Sequence, residues 1–143
     1  MRTADYAKAA GLALLLLALN LALTFVVVFL YAQFLERGHE QAFYTAAAPG
    51  IAAWSAPIGG ALLFLAAGWI LARRSPGRNG VAFIFVAWLF YVLIDGGMGV
   101  AAMGLAKTAT LQLAVSFSAA LAGGLIGAVL GRPRPQAAGA LAA

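Results

Sequence analysis

The sequence predicts an all-α polytopic membrane protein: a bundle of four transmembrane helices with the N and C termini both cytoplasmic. Three observations carry that expectation. First, 64% of the 143 residues are hydrophobic and only 9% are charged, where a soluble domain averages about 25% charged. Such a chain has too little polar surface to face water, so lipid is the solvent for most of it. Second, the apolar residues fall into separate runs, each long enough to cross a hydrocarbon core of about 30 Å. Third, the basic residues lie in short clusters between those runs, where they set orientation. The net charge of +5 therefore points to a membrane rather than to nucleic acid. The expected organisation is a single integral membrane domain over 1–143. Its spans are near 11–34, 51–72, 81–105 and 110–130, with a flexible tail from 131.

Met1–Ala10 carries Arg2 and Lys8 against Asp5. The run from Gly11 to Phe34 has no charge at all. It exceeds the roughly 7–15 residues of a signal-peptide core and ends without a small-x-small cleavage site, so it reads as an uncleaved first span. Leu35–Gly50 is expected to be the longest loop and holds Glu36, Arg37, His39 and Glu40. Tyr44 and Trp54 flank its end, as interfacial aromatics do. Pro49 suits the entrance of a helix better than its interior. Pro57 either delays the second span to near Ser55 or kinks it.

Arg73-Arg74-Ser75-Pro76-Gly77-Arg78-Asn79-Gly80 is a turn by composition. Ala106-Lys107-Thr108-Ala109 is so short that spans three and four should be antiparallel neighbours. After Gly131-Arg132-Pro133-Arg134-Pro135 the Ala-rich tail has nothing to bury. Arg2, Lys8, Arg73, Arg74, Arg78, Arg132 and Arg134 fall on one side of the membrane, and Arg37 and Lys107 on the other. The positive-inside bias then puts both termini in the cytoplasm, and the expected location is a cell membrane, in particular a bacterial cytoplasmic (inner) membrane.

Helices in lipid associate by close packing and polar contacts rather than by the hydrophobic effect. On the fourth span Gln112, Ser116, Ala120, Gly123 and Gly127 share a narrow arc, and Gly123, Gly127 and Gly131 recur every four residues. Ala56, Gly60 and Ala67 form a similar set on the second span. Packing within one bundle is the simpler use of such faces, and a homo-oligomer seam is the other.

Asp95 is the sole charge between Val81 and Leu105, and a carboxylate near mid-membrane costs about 2.5–3.5 kcal/mol on insertion scales. Tyr91, Asp95 and Gly99 are spaced by four and share a face. Asn20 and Thr24 on the first span, and Ser116 on the fourth, lie at similar depth. A buried polar cluster of Asn20, Thr24, Tyr91, Asp95 and Ser116 is therefore expected. No basic residue of this chain lies at that depth. Asp95 is then protonated, or ionised beside a cation or water-filled cavity, or paired with another subunit. Gly96, Gly97 and Gly99 weaken the helix just after the acid, by about 1 kcal/mol each relative to alanine. Either they break it and free carbonyls for an ion, or they make room for a neighbour.

Glu36 and His39 have metal-ligand spacing at i, i+3. There is one copy and no second histidine, so no metal and no cofactor are expected. With no cysteine in the chain, disulfides, thiolate metal sites and cysteine nucleophiles are excluded. Nothing in the sequence supports serine hydrolysis, phosphoryl transfer or covalent haem attachment. An enzyme would have only His39 and the neighbouring acids to work with. In size and number of spans the chain resembles small multidrug exporters. Those carry their key acid in the first span, where this chain has none, so the resemblance is one of architecture and implies no residue roles. Two functions follow. The first is an accessory or structural membrane protein with a polar core, partnered by the lipid bilayer and by itself or a larger complex. The alternative is a small proton- or cation-coupled transporter or channel subunit using Asp95.

Overall fold

The computed structural model describes residues 3–75, 79–104 and 110–132. Helix α1 is Thr3–Leu30 and runs directly into a π-helical turn, Tyr31–Leu35; α2 is Gln41–Arg74, α3 Gly80–Met103 and α4 Leu111–Leu130. All four are long and apolar enough to cross a membrane, and the described residues contain no strand. Large apolar side chains such as Leu14, Phe25, Phe29, Leu62 and Leu93 point outward, which is the arrangement lipid as solvent allows. The expected segments 105–109 and 133–143 lie outside the described residues.

Local chemistry sets the ends. The Asn79 side chain accepts from the Ala82 N–H at 3.1 Å and starts α3. Thr110 does the same for α4 through the Leu113 N–H at 3.3 Å. Gly104 ends α3 with φ of 81°, a backbone conformation that favours glycine.

The second helix corrects the expected loop. It begins at Gln41 rather than near Ile51 and runs on through both Pro49 and Pro57, so the loop shrinks from Leu35–Gly50 to Glu36–Glu40. Each proline's fixed φ is compatible with a helix, and its cost is one freed carbonyl together with the crowding of its ring against that carbonyl. A break in lipid would free several backbone groups, and Ala46, Ala47 and Ala48 are strong helix formers. The short turn is tied by Tyr44. Its hydroxyl donates to the Glu36 carbonyl at 2.6 Å and accepts from the His39 N–H at 3.3 Å, and Gly38 takes φ of 84°.

The helices form two parallel pairs. In the first, α2 and α4 approach backbone to backbone. A Cβ on Gly123 would fall onto the Ala61 carbonyl, one on Gly127 onto that of Leu65, and one on Gly131 within 2.5 Å of that of Trp69. Gly68 answers from α2 against Gly124 and Ala128. The matched increments 61, 65, 69 and 123, 127, 131 fix the two helices as parallel. The small-residue face is thus consumed inside one bundle. In the second pair, Asn20 meets Tyr91 while Ala9 packs with Phe83 and Ala87, so α1 and α3 also run in parallel. Between pairs the directions oppose. Asn20 lies beside Gly59 while Leu71 packs against the cluster of Ala9, so α1 and α2 are antiparallel. Ile84 lies beside Gly124 while the Trp88 indole N–H donates to the Phe117 carbonyl at 2.9 Å, so α3 and α4 are antiparallel neighbours.

Packing is uneven along the axis. Of the buried apolar residues, Ala9, Ala13, Leu16, Leu17, Phe64, Ala72, Phe83, Ile84, Ala87, Ala120 and Ala128 lie in the half that contains Thr3 and Arg132, Tyr91 lies at its edge, and Ile51 lies in the other half. Phe64 and Ile84 are the largest fully buried side chains there. The opposite half, toward the Glu36–Glu40 turn, has few buried residues.

Candidate functional site

Where the dense half gives way to the open one, Tyr91 is the central side chain. Only 4% exposed, it is reached by all three other helices. The Asn20 amide on α1 donates to its hydroxyl at 3.1 Å. Its ring meets Phe64 of α2 edge-on at 5.2 Å and Phe117 of α4 edge-on at 6.1 Å. Because the hydroxyl accepts from Asn20, its own proton remains available to donate.

Above Tyr91 lies a cavity of about 340 Å³. All four helices contribute to its lining, α1 through Asn20, and it is partly open on the side of the exposed Met98 and Met103. Asn20, Tyr91, Asp95 and Ser116 form its polar part, and Ala52 and Ala56 of α2 face them. Met98, Met103, Thr110 and Gln112, all exposed, form its rim at the end where α3 and α4 connect.

The structure brings four of the five expected residues to this cavity. The fifth, Thr24, turns to its own helix and donates to the Asn20 carbonyl at 3.1 Å. Asp95 is half-buried and forms no hydrogen bond or ion pair among the described residues. Asn20 is 8% exposed, and its Oδ1 has no partner among them. Ser55, one turn of α2 away from Gly59, has a buried hydroxyl without one either.

Of the two alternatives for the glycines after Asp95, a helix break and room for a neighbour, the break does not occur. Helix α3 continues through Gly96 and Gly97 to Met103, so their neighbouring carbonyls stay within helical geometry. A Cβ on Gly96 would come within 4.0 Å of the Phe117 ring, whereas Gly97, expected at a helix contact, faces open space. Of the residues the sequence did not single out, Met98 and Met103 gave no signal of their own. Gln112 was visible only as part of the α4 polar arc. Trp88 was visible as an aromatic, but not as the donor that ties α3 to α4.

At the far turn His39 Nε2 is 3.1 Å from a Glu36 carboxylate oxygen, and its ring stacks on Phe43 at 4.2 Å. Among the described residues no group of three or more His, Cys, Asp or Glu could hold a metal.

The Asn20–Tyr91 bond yields a measurable expectation. Tyr91→Phe removes the acceptor and leaves the Asn20 amide with neither polar atom bonded to protein. The loss is expected to be about 1 kcal/mol, typical of an interhelical bond in lipid, read as a lower Tm in detergent. Combining it with Asn20→Leu should recover part of that loss, because the apolar pair leaves no buried amide unsatisfied.

No family model, no curated protein and no solved structure matches the chain.

Proposed function

We propose that the chain is a small multi-pass membrane protein that binds a cation in its four-helix cavity and passes it across the bilayer, with Asp95 as the counter-charge. The observation that carries this reading is the placement of Asp95. It is a half-buried carboxyl without a protein partner among the described residues, on the wall of a four-helix cavity. Intramembrane acids that face a cavity mark ion and substrate pathways. Tyr91 and Asn20 form the inner floor, and Ser116 and Gln112 supply hydrogen-bonding groups to an occupant. In this reading the protein lies in a bacterial cytoplasmic membrane, with Thr3 and Arg132 inside, in keeping with the excess of arginine and lysine at that end. The cavity then faces outward.

The test is cation flux into proteoliposomes holding the purified chain. Flux is expected with the native protein, and its loss in Asp95→Asn at unchanged Tm. If Asp95→Asn lowers only the Tm, and no flux of protons, sodium or tetraethylammonium occurs with the native chain, the reading fails.

A second reading has its own support. The Asn20–Tyr91 bond and the α2–α4 glycine seam would also serve an accessory protein that assembles with a larger membrane complex, with Asp95 neutral. That reading expects Asp95→Asn to change neither binding nor flux of any cation.

A further inference from the structure

We propose that the occupant of this cavity is a substituted ammonium ion with an apolar body, and not a metal ion. The inference rests on the reading of Asp95 as a cation site and adds the class of cation.

Size is the first argument. A cavity of about 340 Å³ falls at the lower end of the range of about 300–1,000 Å³ for small-molecule sites. A bare metal ion would leave most of it empty. Ligand chemistry is the second argument. A calcium ion takes about six to eight oxygen ligands and magnesium close to six. The cavity wall offers one carboxyl, Asp95. Carbonyls freed by a broken helix could have added more, but α3 runs unbroken through Gly96 and Gly97, so those carbonyls remain in the helix. A single carboxyl suits a single positive charge that brings its own bulk.

The layout of the wall gives the rest. The acid and the hydroxyl and amide groups of Tyr91, Asn20 and Ser116 lie inward, while Met98, Met103 and Leu113 lie toward the rim beside Thr110 and Gln112, across from Ala52 and Ala56. An ammonium head on Asp95 would leave its carbon substituents against thioether and alkyl groups. Methionine is unbranched and polarisable, and it adapts to apolar partners of differing shape. The site is therefore suited to a class of amines rather than to one.

The experiment is calorimetric titration of the chain in lipid nanodiscs, with empty nanodiscs subtracted to remove partitioning into lipid. The probes are tetramethylammonium, tetrapropylammonium, sodium and thallium(I). Each buried CH₂ is worth about 0.8 kcal/mol, so tetrapropylammonium should bind at least roughly tenfold more tightly than tetramethylammonium. Asp95→Asn should weaken both. The double variant Met98→Gln, Met103→Gln should weaken tetrapropylammonium binding more than tetramethylammonium binding, so that the preference for the propyl compound falls. Binding of sodium or thallium that requires Asp95, without tetraalkylammonium binding, overturns the inference while leaving the cation site standing. Tetraalkylammonium binding that survives Asp95→Asn overturns it as well. Binding of none of the four probes overturns both the inference and the proposed function.

Discussion

Gly127→Leu is expected to destabilise the bundle by at least about 3 kcal/mol, the upper part of the usual range for overpacking. The reason is positional. A Cβ at Gly127 would coincide with the Leu65 carbonyl oxygen, and that oxygen belongs to a helix backbone that cannot step aside like a side-chain tip. The whole α2–α4 pair must separate to admit it, which also loosens the contacts at Gly123 and Gly131. Thermal unfolding followed by tryptophan fluorescence in detergent measures the effect. Gly97→Ala is the matched control. Its Cβ meets nothing within 4 Å and it lies inside a helix, so the change should be stabilising, by at most about 1 kcal/mol. If Gly127→Leu instead turned a dimer into a stable monomer, the seam would lie between chains and the bundle described above would be wrong.

Ala56→Phe should weaken binding of tetrapropylammonium at least roughly tenfold while leaving the fold in place. Ala56 lies on the α2 wall of the cavity, on the same space as Asp95. A phenyl ring there occupies volume that the apolar part of a ligand needs and keeps the carboxyl of Asp95 in the chain. The predicted loss is roughly tenfold or more, the equivalent of about two lost CH₂ contacts. Ala52→Phe, nearer the rim, provides a milder version should Ala56→Phe fold poorly. An unchanged affinity in a folded Ala56→Phe protein would place the ligand somewhere other than this cavity.

The sequence disclosed the object more completely than its site. Charge-free runs and basic clusters are averages over many residues, and those averages located four helices. The Gly123, Gly127, Gly131 repeat disclosed the close seam because helix packing in lipid depends on side-chain volume, which a sequence states directly. The start of α2 was hidden. Pro49 and Pro57 are read locally as punctuation, but in lipid the cost of an interrupted backbone exceeds the cost of the carbonyl each one frees. Within the site, depth was legible from rise per residue, which brought Asn20 and Tyr91 to one level. Rotation was not, and Thr24 turned to its own backbone for that reason. Met98 and Met103 were hidden because an apolar residue in an apolar helix looks the same whether it faces lipid or a cavity.

The uneven packing along the axis has one more consequence. With Phe64 and Ile84 fully buried in the half that holds Thr3 and Arg132, the interior has the shape of a cup and not of a tube. A solute that reaches Asp95 from the rim meets a floor made of Tyr91, Phe64 and Phe117, contributed by helices of both parallel pairs. Passage would require those rings to part, and the seam that joins α2 to α4 leaves the line between the two pairs as the place where they can. In the transport reading proposed above, the opening of that floor is a step that every passage must include.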